Sequence, residues 1–383
     1  MFDGNRIELL ENGAEFFPAL CAEIERAQVE VYLETYIFEP DPTGDRVADA
    51  LCRAARRGVA VQVLVDGFGG RAFVERMQSR LEAAGVSVLV YRPEIRALTL
   101  RRHRLRRLHR KLASIDARVV FVGGINIIDD IPRGGPPQPR FDYSVRIVGP
   151  LVRPVVESMR RLWSLVSWVN LKRRLKASRH ARIVDAQAGS VRAAFLIRDN
   201  LAHRRDIEDA YLQAIGRARH EIVIACAYFF PGRRFRQALI DARQRGVSVT
   251  LLLQGLADHP MLAHATRALY PYFLGAGIRL FEYHRSYLHA KVAVIDDTWA
   301  TVGSSNIDPF SLLLAREANV VIRDQGFAVE LRGSLERAMH GEGTQELRQD
   351  DWGRLPTLRR LATWFAYQFV RLAIGLAGFR GKH

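Results

Sequence analysis

His109-Arg110-Lys111-Leu112-Ala113-Ser114-Ile115-Asp116 returns later in the chain as His289-Ala290-Lys291-Val292-Ala293-Val294-Ile295-Asp296. Both stretches read H-x-K-x4-D. Each is followed, after six residues, by a glycine-led turn, Gly123-Gly124-Ile125-Asn126 and Gly303-Ser304-Ser305-Asn306. Lysine is scarce here: arginine fills nearly every other basic position, yet both motifs keep lysine. A compact ammonium is selected there over a forked guanidinium, which binds oxygen with different geometry. A single such motif is a moderate signal; two copies with the same downstream turn are a strong one.

The repeat extends outward from the motifs. Residues 27 to 38 form an apolar run, then a helical pattern passes through Val47, Leu51 and Ala55 to Gly58. Val59 to Val65 and Val86 to Tyr91 supply two more strands around another helix. In the second half, Glu221 to Phe230 parallels the first run, and Leu274-Gly275-Ala276-Gly277-Ile278 mirrors Glu82-Ala83-Ala84-Gly85-Val86. Strands alternating with helices predict α/β architecture: two similar halves, each a mixed sheet flanked by helices.

The doubled H-x-K-x4-D-x6-G-[GS]-x-N pattern resembles the phospholipase D superfamily. Within it, the chain is most similar to the bacterial cardiolipin synthases of the short B type, which lack an N-terminal membrane anchor. The likeness runs from about Asn5 to Val321 and includes Ile7-Glu8-Leu9-Leu10-Glu11-Asn12-Gly13 and Leu33-Glu34-Thr35-Tyr36-Ile37-Phe38. Gly124 stands where a standard first motif has serine; Ser304 keeps the serine in the second. Cardiolipin synthases share that asymmetry. The resemblance implies a phospholipase D fold with the active site between the halves. It divides the chain into a first half (1–150, motif 109–126), a connector (151–190), a second half (191–340, motif 289–306) and a tail (341–383).

A net charge of +16 on 383 residues implies a polyanionic partner, nucleic acid or an anionic membrane surface. Arg96, Arg101, Arg102, Arg104, Arg106, Arg107 and Arg110 crowd the approach to His109 and are expected to draw a phosphate-bearing surface toward it. Between the halves, Met159, Leu162, Trp163, Leu165, Val166, Trp168 and Val169 mix with Arg160, Arg161, Lys172, Arg173, Arg174 and Lys176. This segment reads either as a membrane-interface element or as a helix packing its tryptophans inward. In the tail, Leu355 to Arg380, Arg371 interrupts an apolar run. A charge there disfavours spanning, so an in-plane amphipathic helix is expected. Cys21, Cys52 and Cys226 show no disulfide framework or zinc spacing, which points to a reducing compartment. Residues 1 to 20 carry Asp3, Glu8, Glu11 and Glu15 and do not read as a secretory signal.

Phosphodiester exchange needs a nucleophile, an acid for the leaving oxygen and cations around phosphorus. Two histidines and two lysines supply this set without metal or cofactor. The residues alone permit either histidine as nucleophile; the resemblance implies His109 as nucleophile and His289 as acid, then base. Lys111 and Lys291 are expected on the non-bridging oxygens, helped by Asn126, Ser304 and Asn306. Each histidine needs a carboxylate to fix its tautomer; the resemblance implies one shortly after each glycine turn, where Asp142 and Glu317 stand. Asp116 and Asp296 belong to the catalytic motif by resemblance, although structural ion pairs suit them better than substrate contact. The implied reaction is phosphatidyl transfer between two phosphatidylglycerol molecules on the cytoplasmic side of a bacterial inner membrane, by a peripheral enzyme. Anionic phospholipids are the expected partners, and nucleic acid is not. Other readings are a phospholipase D or nuclease-type phosphodiesterase, or a non-catalytic basic module. Two intact motifs argue against the last, and the apolar tail against a nuclease.

Overall fold

The structure is a computed structural model that describes residues 1–92, 107–131, 134–169, 180–199, 202–256, 260–308, 315–349, and 365, 368 and 369. The arginines at 96, 101, 102, 104 and 106, the basic residues at 172–176 and the apolar stretch 355–380, apart from 365, 368 and 369, lie outside the described residues. The start of the expected tail instead forms a strand of the sheet.

The first half contains β1 (Phe2–Glu11), β2 (Glu30–Thr35), β3 (Ala60–Asp66), β4 (Ser87–Tyr91), β5 (Arg107–Leu108), β6 (Lys111–Ile115), β7 (Val119–Gly123) and β8 (Tyr143–Val148). The second contains β9 (Val191–Arg198), β10 (Glu221–Cys226), β11 (Ser248–Gln254), β12 (Arg279–Tyr283), β13 (Lys291–Ile295), β14 (Trp299–Gly303), β15 (Ala315–Arg323) and β16 (Thr344–Leu347). Strand order is β1-β8-β7-β6-β2-β3-β4 in the first half and β9-β15-β14-β13-β10-β11-β12-β16 in the second. The seven shared positions match strand for strand. In both halves the three consecutive strands at one side are parallel and the rest antiparallel. Antiparallel pairing of β1 with β9 joins the halves, with Phe2 opposite Ala193 and Asn5 opposite Val191.

The local reasons repeat too. β2 and β10 are buried along nearly their whole length, which is why they read as continuous runs rather than alternating ones. The sequence placed the first run over residues 27 to 38; its ladder covers only Glu30–Thr35, because the chain then leaves the sheet at Tyr36. Helices pack outside each half in separate apolar clusters, while a third cluster combines residues of both halves, such as Leu112, Val122 and Tyr143 with Val292, Val302 and Leu331.

The helix Val152–Val169 packs inward over most of its length, and its C-terminal end does not. Met159, Leu162, Trp163 and Val166 are buried in the shared core, whereas Leu165, Trp168 and Val169 are exposed at its C-terminal end. The helix is tied to the first motif by Arg110. Its guanidinium is only 3% exposed, pairs with Glu34, and donates from Nη1 to Ser158 Oγ at 2.9 Å. Removing one partner of such a buried pair leaves an uncompensated charge and typically costs ~3–5 kcal/mol. Arg110 is thus part of the interior and not of a lipid-attracting surface. Arg107 also turns inward, 3.7 Å from buried Asp66.

Candidate active site

Each motif begins at the mouth of a strand. Lys111 opens β6 and Lys291 opens β13, each two residues after its histidine. At the far end of each strand the chain turns back through Asp116-Ala117 and Asp296-Asp297, all at positive φ between 46° and 52°. Two successive left-handed residues are the mark of a tight hairpin whose twist matches its strands. Asp116 accepts from the backbone N–H of Gln28, Val29 and Glu30, at 2.8 to 3.0 Å. Asp296 accepts from Arg219, His220 and Glu221 over the same range. This differs from the expectation: among the described residues the two aspartates make no ion pair, and they do not reach the reacting centre. They fasten the hairpin to the start of the neighbouring strand, a strand's length from the histidines.

The segments before the motifs are also held alike. The N–H of Leu108 donates to Asp66 Oδ2 and that of Leu288 to Gln254 Oε1, both at 2.8 Å. The next residues cross between halves: His109 N donates to Arg316 O at 3.0 Å, and His289 N to Phe141 O at 2.8 Å. Each motif is therefore hydrogen-bonded to the residue of the opposite half that directly precedes a carboxylate, Glu317 or Asp142. His109 Nδ1 lies 3.0 and 3.1 Å from the oxygens of Glu317, and His289 Nδ1 lies 2.5 Å from Asp142 Oδ2. Glu317 is fully buried and Asp142 nearly so. With Nδ1–H donated to a carboxylate, Nε2 is the nitrogen each ring leaves for chemistry.

Burial pushes the His109 imidazole below its ordinary range; Glu317 opposes this and Lys111 adds to it. His289 is pushed down to about 4, first by burial and then by Lys291, against the pull of Asp142. Burial likewise lowers Lys111 to about 7, with Glu317 opposing and Lys291 adding to the effect. Glu317 is drawn up by burial, but His109, Lys111 and the Ser304 hydroxyl more than offset that and hold it low. Lys111 Nζ donates to His109 O at 2.6 Å, and Lys291 Nζ to His289 O. The site thus brings the two lysines and two histidines together in a setting that favours an anion.

The three residues expected to help the lysines on phosphate fall into two groups. Asn126 Oδ1 accepts from Ile37 N at 3.2 Å and Asn306 Oδ1 from Tyr228 N at 3.4 Å, so both carbonyls hold backbone and only the amide NH2 groups remain as donors. Ser304 departs from its expected place on phosphate: its hydroxyl donates to Glu317 Oε2 at 2.5 Å and is fully buried. At the matching position, a Cβ on Gly124 would stand 2.6 Å from Asp142 Oδ2. Asp is one methylene shorter than Glu, which draws its carboxylate onto the backbone and leaves no room for a side chain. The Gly124/Ser304 asymmetry follows from Asp142 and Glu317.

A cavity of about 230 Å³ lies between the motifs, lined by His109, His289, Asn126, Asp142, Tyr36 and Tyr228, with Asp130 and Arg140 among the remaining residues. The Tyr36 ring centroid is 5.0 Å from that of His109, and Lys111 Nζ lies 5.6 Å from the same ring. Sequence reasoning gave no role to the tyrosines, Asp130 or Arg140. Tyr36 and Tyr228 follow the matching strands β2 and β10 closely, a signal that the repeat carried. Asp130 and Arg140 lie between β7 and β8, where neither periodicity nor repeat points to them.

Similarity to known proteins follows the same geometry. The family described as "Cardiolipin synthase, PLD-like domain" matches residues 20–130 and 211–339, one span in each half. The chain is 40% identical to Cardiolipin synthase B of Salmonella typhimurium, covering 100% of this chain and 91% of that protein. It is also 40% identical to Cardiolipin synthase B of Escherichia coli strain K12, with the same coverage. Among solved structures, phosphatidylserine synthase of Haemophilus influenzae superposes with a TM-score of 0.70 at 15% identity, covering 97% of this chain and 94% of that one, a likeness of fold. By its repeated motifs, their meeting at one cavity, and this identity along its whole length, the chain belongs to the phospholipase D-like cardiolipin synthase family.

Proposed function

We propose that this protein is a phosphatidyltransferase that joins two phosphatidylglycerol molecules into cardiolipin and glycerol, through a phosphohistidine intermediate. The observation that carries the reading is the pair of histidines, each held at Nδ1 by a carboxylate of the opposite half and lining one cavity. Neutral His109 attacks phosphorus through Nε2 while the non-bridging oxygens are met by Lys111, Lys291 and the amide of Asn126. His289 protonates the departing glycerol oxygen. Burial and Lys291 favour neutral His289, so it takes up a proton from solvent as substrate binds: the phosphate anion offsets the repulsion of Lys291 and Lys111. His289, now neutral, then accepts the proton of the second phosphatidylglycerol's hydroxyl. That oxygen bonds to phosphorus as the P–N bond to His109 breaks.

We infer a peripheral enzyme on the cytoplasmic side of the inner membrane. The net charge of +16 and the exposed Leu165, Trp168 and Val169 support attachment to an anionic leaflet. Among the described residues no helix is long and apolar enough to cross a membrane. Incubation of the purified protein with phosphatidylglycerol vesicles, beside a His109→Ala control, tests the reaction. Cardiolipin and glycerol in equal amounts support it. Phosphatidic acid as the sole lipid product identifies a phospholipase D instead, and an inert wild-type protein overturns the reading.

A further inference from the structure

Two cavity residues have no part in the chemistry above. Arg140 donates from Nη1 to the Asp129 carbonyl at 2.6 Å and stands 6.0 Å over the ring of Tyr287. Neither neighbour is an anion. Asp130 faces the same cavity, with its carboxylate beside the backbone amides of Gly13 and Ala14. Burial raises its carboxyl to about 6, against the pull of those amides and of Arg140.

Their position relative to the histidines is one-sided. Phe141 follows Arg140 and gives its carbonyl to His289 N; Asp142 follows and holds the His289 ring. Ser286 Oγ donates to Pro139 O at 2.6 Å, so the whole stretch 139–142 is fastened alongside the second motif. The register of the repeat puts other residue types at the matching positions of the second half. Arg316 gives its carbonyl to His109 N as Phe141 does to His289 N, so Arg140 corresponds to Ala315, which is buried. By the offset between Asn126 and Asn306, Asp130 corresponds in sequence to Phe310.

The reaction is one-sided in the same sense. Glycerol leaves, and the acceptor alcohol enters, on the side of the acid-base His289. An acceptor phosphatidylglycerol brings a second phosphodiester, three carbons from its attacking hydroxyl, while both motif lysines are engaged with the first. It therefore needs another cation on the His289 side, and an acceptor for the hydroxyl of its glycerol.

Building on the transferase reading, we propose that Arg140 and Asp130 form the acceptor-headgroup subsite: Arg140 binds the phosphate of the incoming phosphatidylglycerol and Asp130 its glycerol hydroxyl. The pair acts by positioning, and favours a lipid alcohol over water as acceptor. The step itself is the one already balanced: the acceptor O–P bond forms, the P–N bond breaks, and the alcohol proton passes to His289.

Two reactions with the same vesicles separate the subsite from the catalytic set. One is cardiolipin formation. The other is exchange of radiolabelled free glycerol into phosphatidylglycerol, which uses the same adduct and the same His289 but an acceptor without phosphate. In Arg140→Gln, cardiolipin formation is expected to fall at least ~10-fold, with exchange changed by less than ~3-fold and phosphatidic acid rising. Arg140→Lys, which keeps the charge, should recover cardiolipin formation to within ~3-fold of wild type. In Asp130→Asn, both reactions should fall together, since each places a glycerol hydroxyl there. Equal loss of both reactions in Arg140→Gln, or no loss of either, overturns the subsite while the transferase reading stands. A wild-type protein that makes no cardiolipin overturns both.

Discussion

Glu317 holds the ring of His109 from the other half of the repeat, with Nδ1 at 3.0 and 3.1 Å from its two oxygens. Asp142 returns the relationship to His289. Neither half therefore owns a complete acid-base pair, and loss of one carboxylate should disable the histidine of the opposite motif. Glu317→Gln is expected to cut turnover by ~10³-fold or more, by analogy with loss of the carboxylate behind a catalytic imidazole. Asp142→Asn should cut it comparably. Rapid-quench measurement with a substrate carrying a better leaving group distinguishes them. Adduct formation should recover in Asp142→Asn, whose weakened partner is the acid, and not in Glu317→Gln. The opposite pattern would mean that the pairs do not act crosswise.

The motif aspartates should behave as structure. Asp296→Ala leaves three backbone N–H groups without their acceptor, and Asp116→Ala does the same in the first half. Water reaches part of these turns, so a loss of ~2 kcal/mol each is expected, seen as a lower Tm with near-normal turnover per folded molecule. Burial raises the Asp296 carboxyl, but its backbone donors more than offset this and hold it below its ordinary value. Its contribution is thus full above the unfolded carboxylate pKa of about 3.9 and fades as pH falls below it. A ~10³-fold loss of turnover in a protein of unchanged Tm would instead make these residues chemical.

Gly124 and Asp142 should couple. Gly124→Ser drives a side chain into the Asp142 carboxylate and is expected to lower activity ~10- to 100-fold by displacing the partner of His289. Gly124→Ser with Asp142→Glu copies the Ser304–Glu317 arrangement and should regain at least a third of wild-type activity, although Asp142→Glu alone is also impaired. Strictly additive losses in this cycle would show that the two positions do not share space.

Much of this was legible in the chain itself. The two motifs and the strand runs carry residue-level signals that the repeat doubles, and the resemblance to the family supplied the two orienting carboxylates. The crossing was not legible, because spacing says that Asp142 and Glu317 follow their turns but not which histidine they meet. It arises from backbone bonds such as His109 N to Arg316 O, which have no residue signature. The same holds for Asp116 and Asp296, whose partners are amides rather than cations. Arg110 misled for a different reason. In a run of arginines it reads as surface charge, and only Glu34 and Ser158, distant in sequence, make it interior.

Lys111 gives the pH dependence its sign. Burial depresses its ammonium to about 7, so the charge that meets phosphate is present below that pH and lost above it. Because His289 must gain a proton, kcat/KM should already decline above about 4. A second, steeper limb should set in as pH rises through about 7 and Lys111 loses its charge, with the corresponding limb of kcat at higher pH because bound phosphate favours the charged lysine. Lys111→Arg, always charged, should move that second kcat/KM limb upward by more than one unit at reduced maximal rate. An unmoved limb would assign it to another group.

The most direct test of the account is the location of the covalent adduct. His289→Ala protein, incubated with a phosphatidylglycerol analogue bearing a good leaving group in excess EDTA, is quenched at alkaline pH, digested and mapped by mass spectrometry. The account predicts a phosphatidyl group on His109 that persists because the second step has lost its base, and no adduct in His109→Ala with any substrate. An adduct on His289 in His109→Ala, or adduct formation that requires a divalent ion, would contradict it.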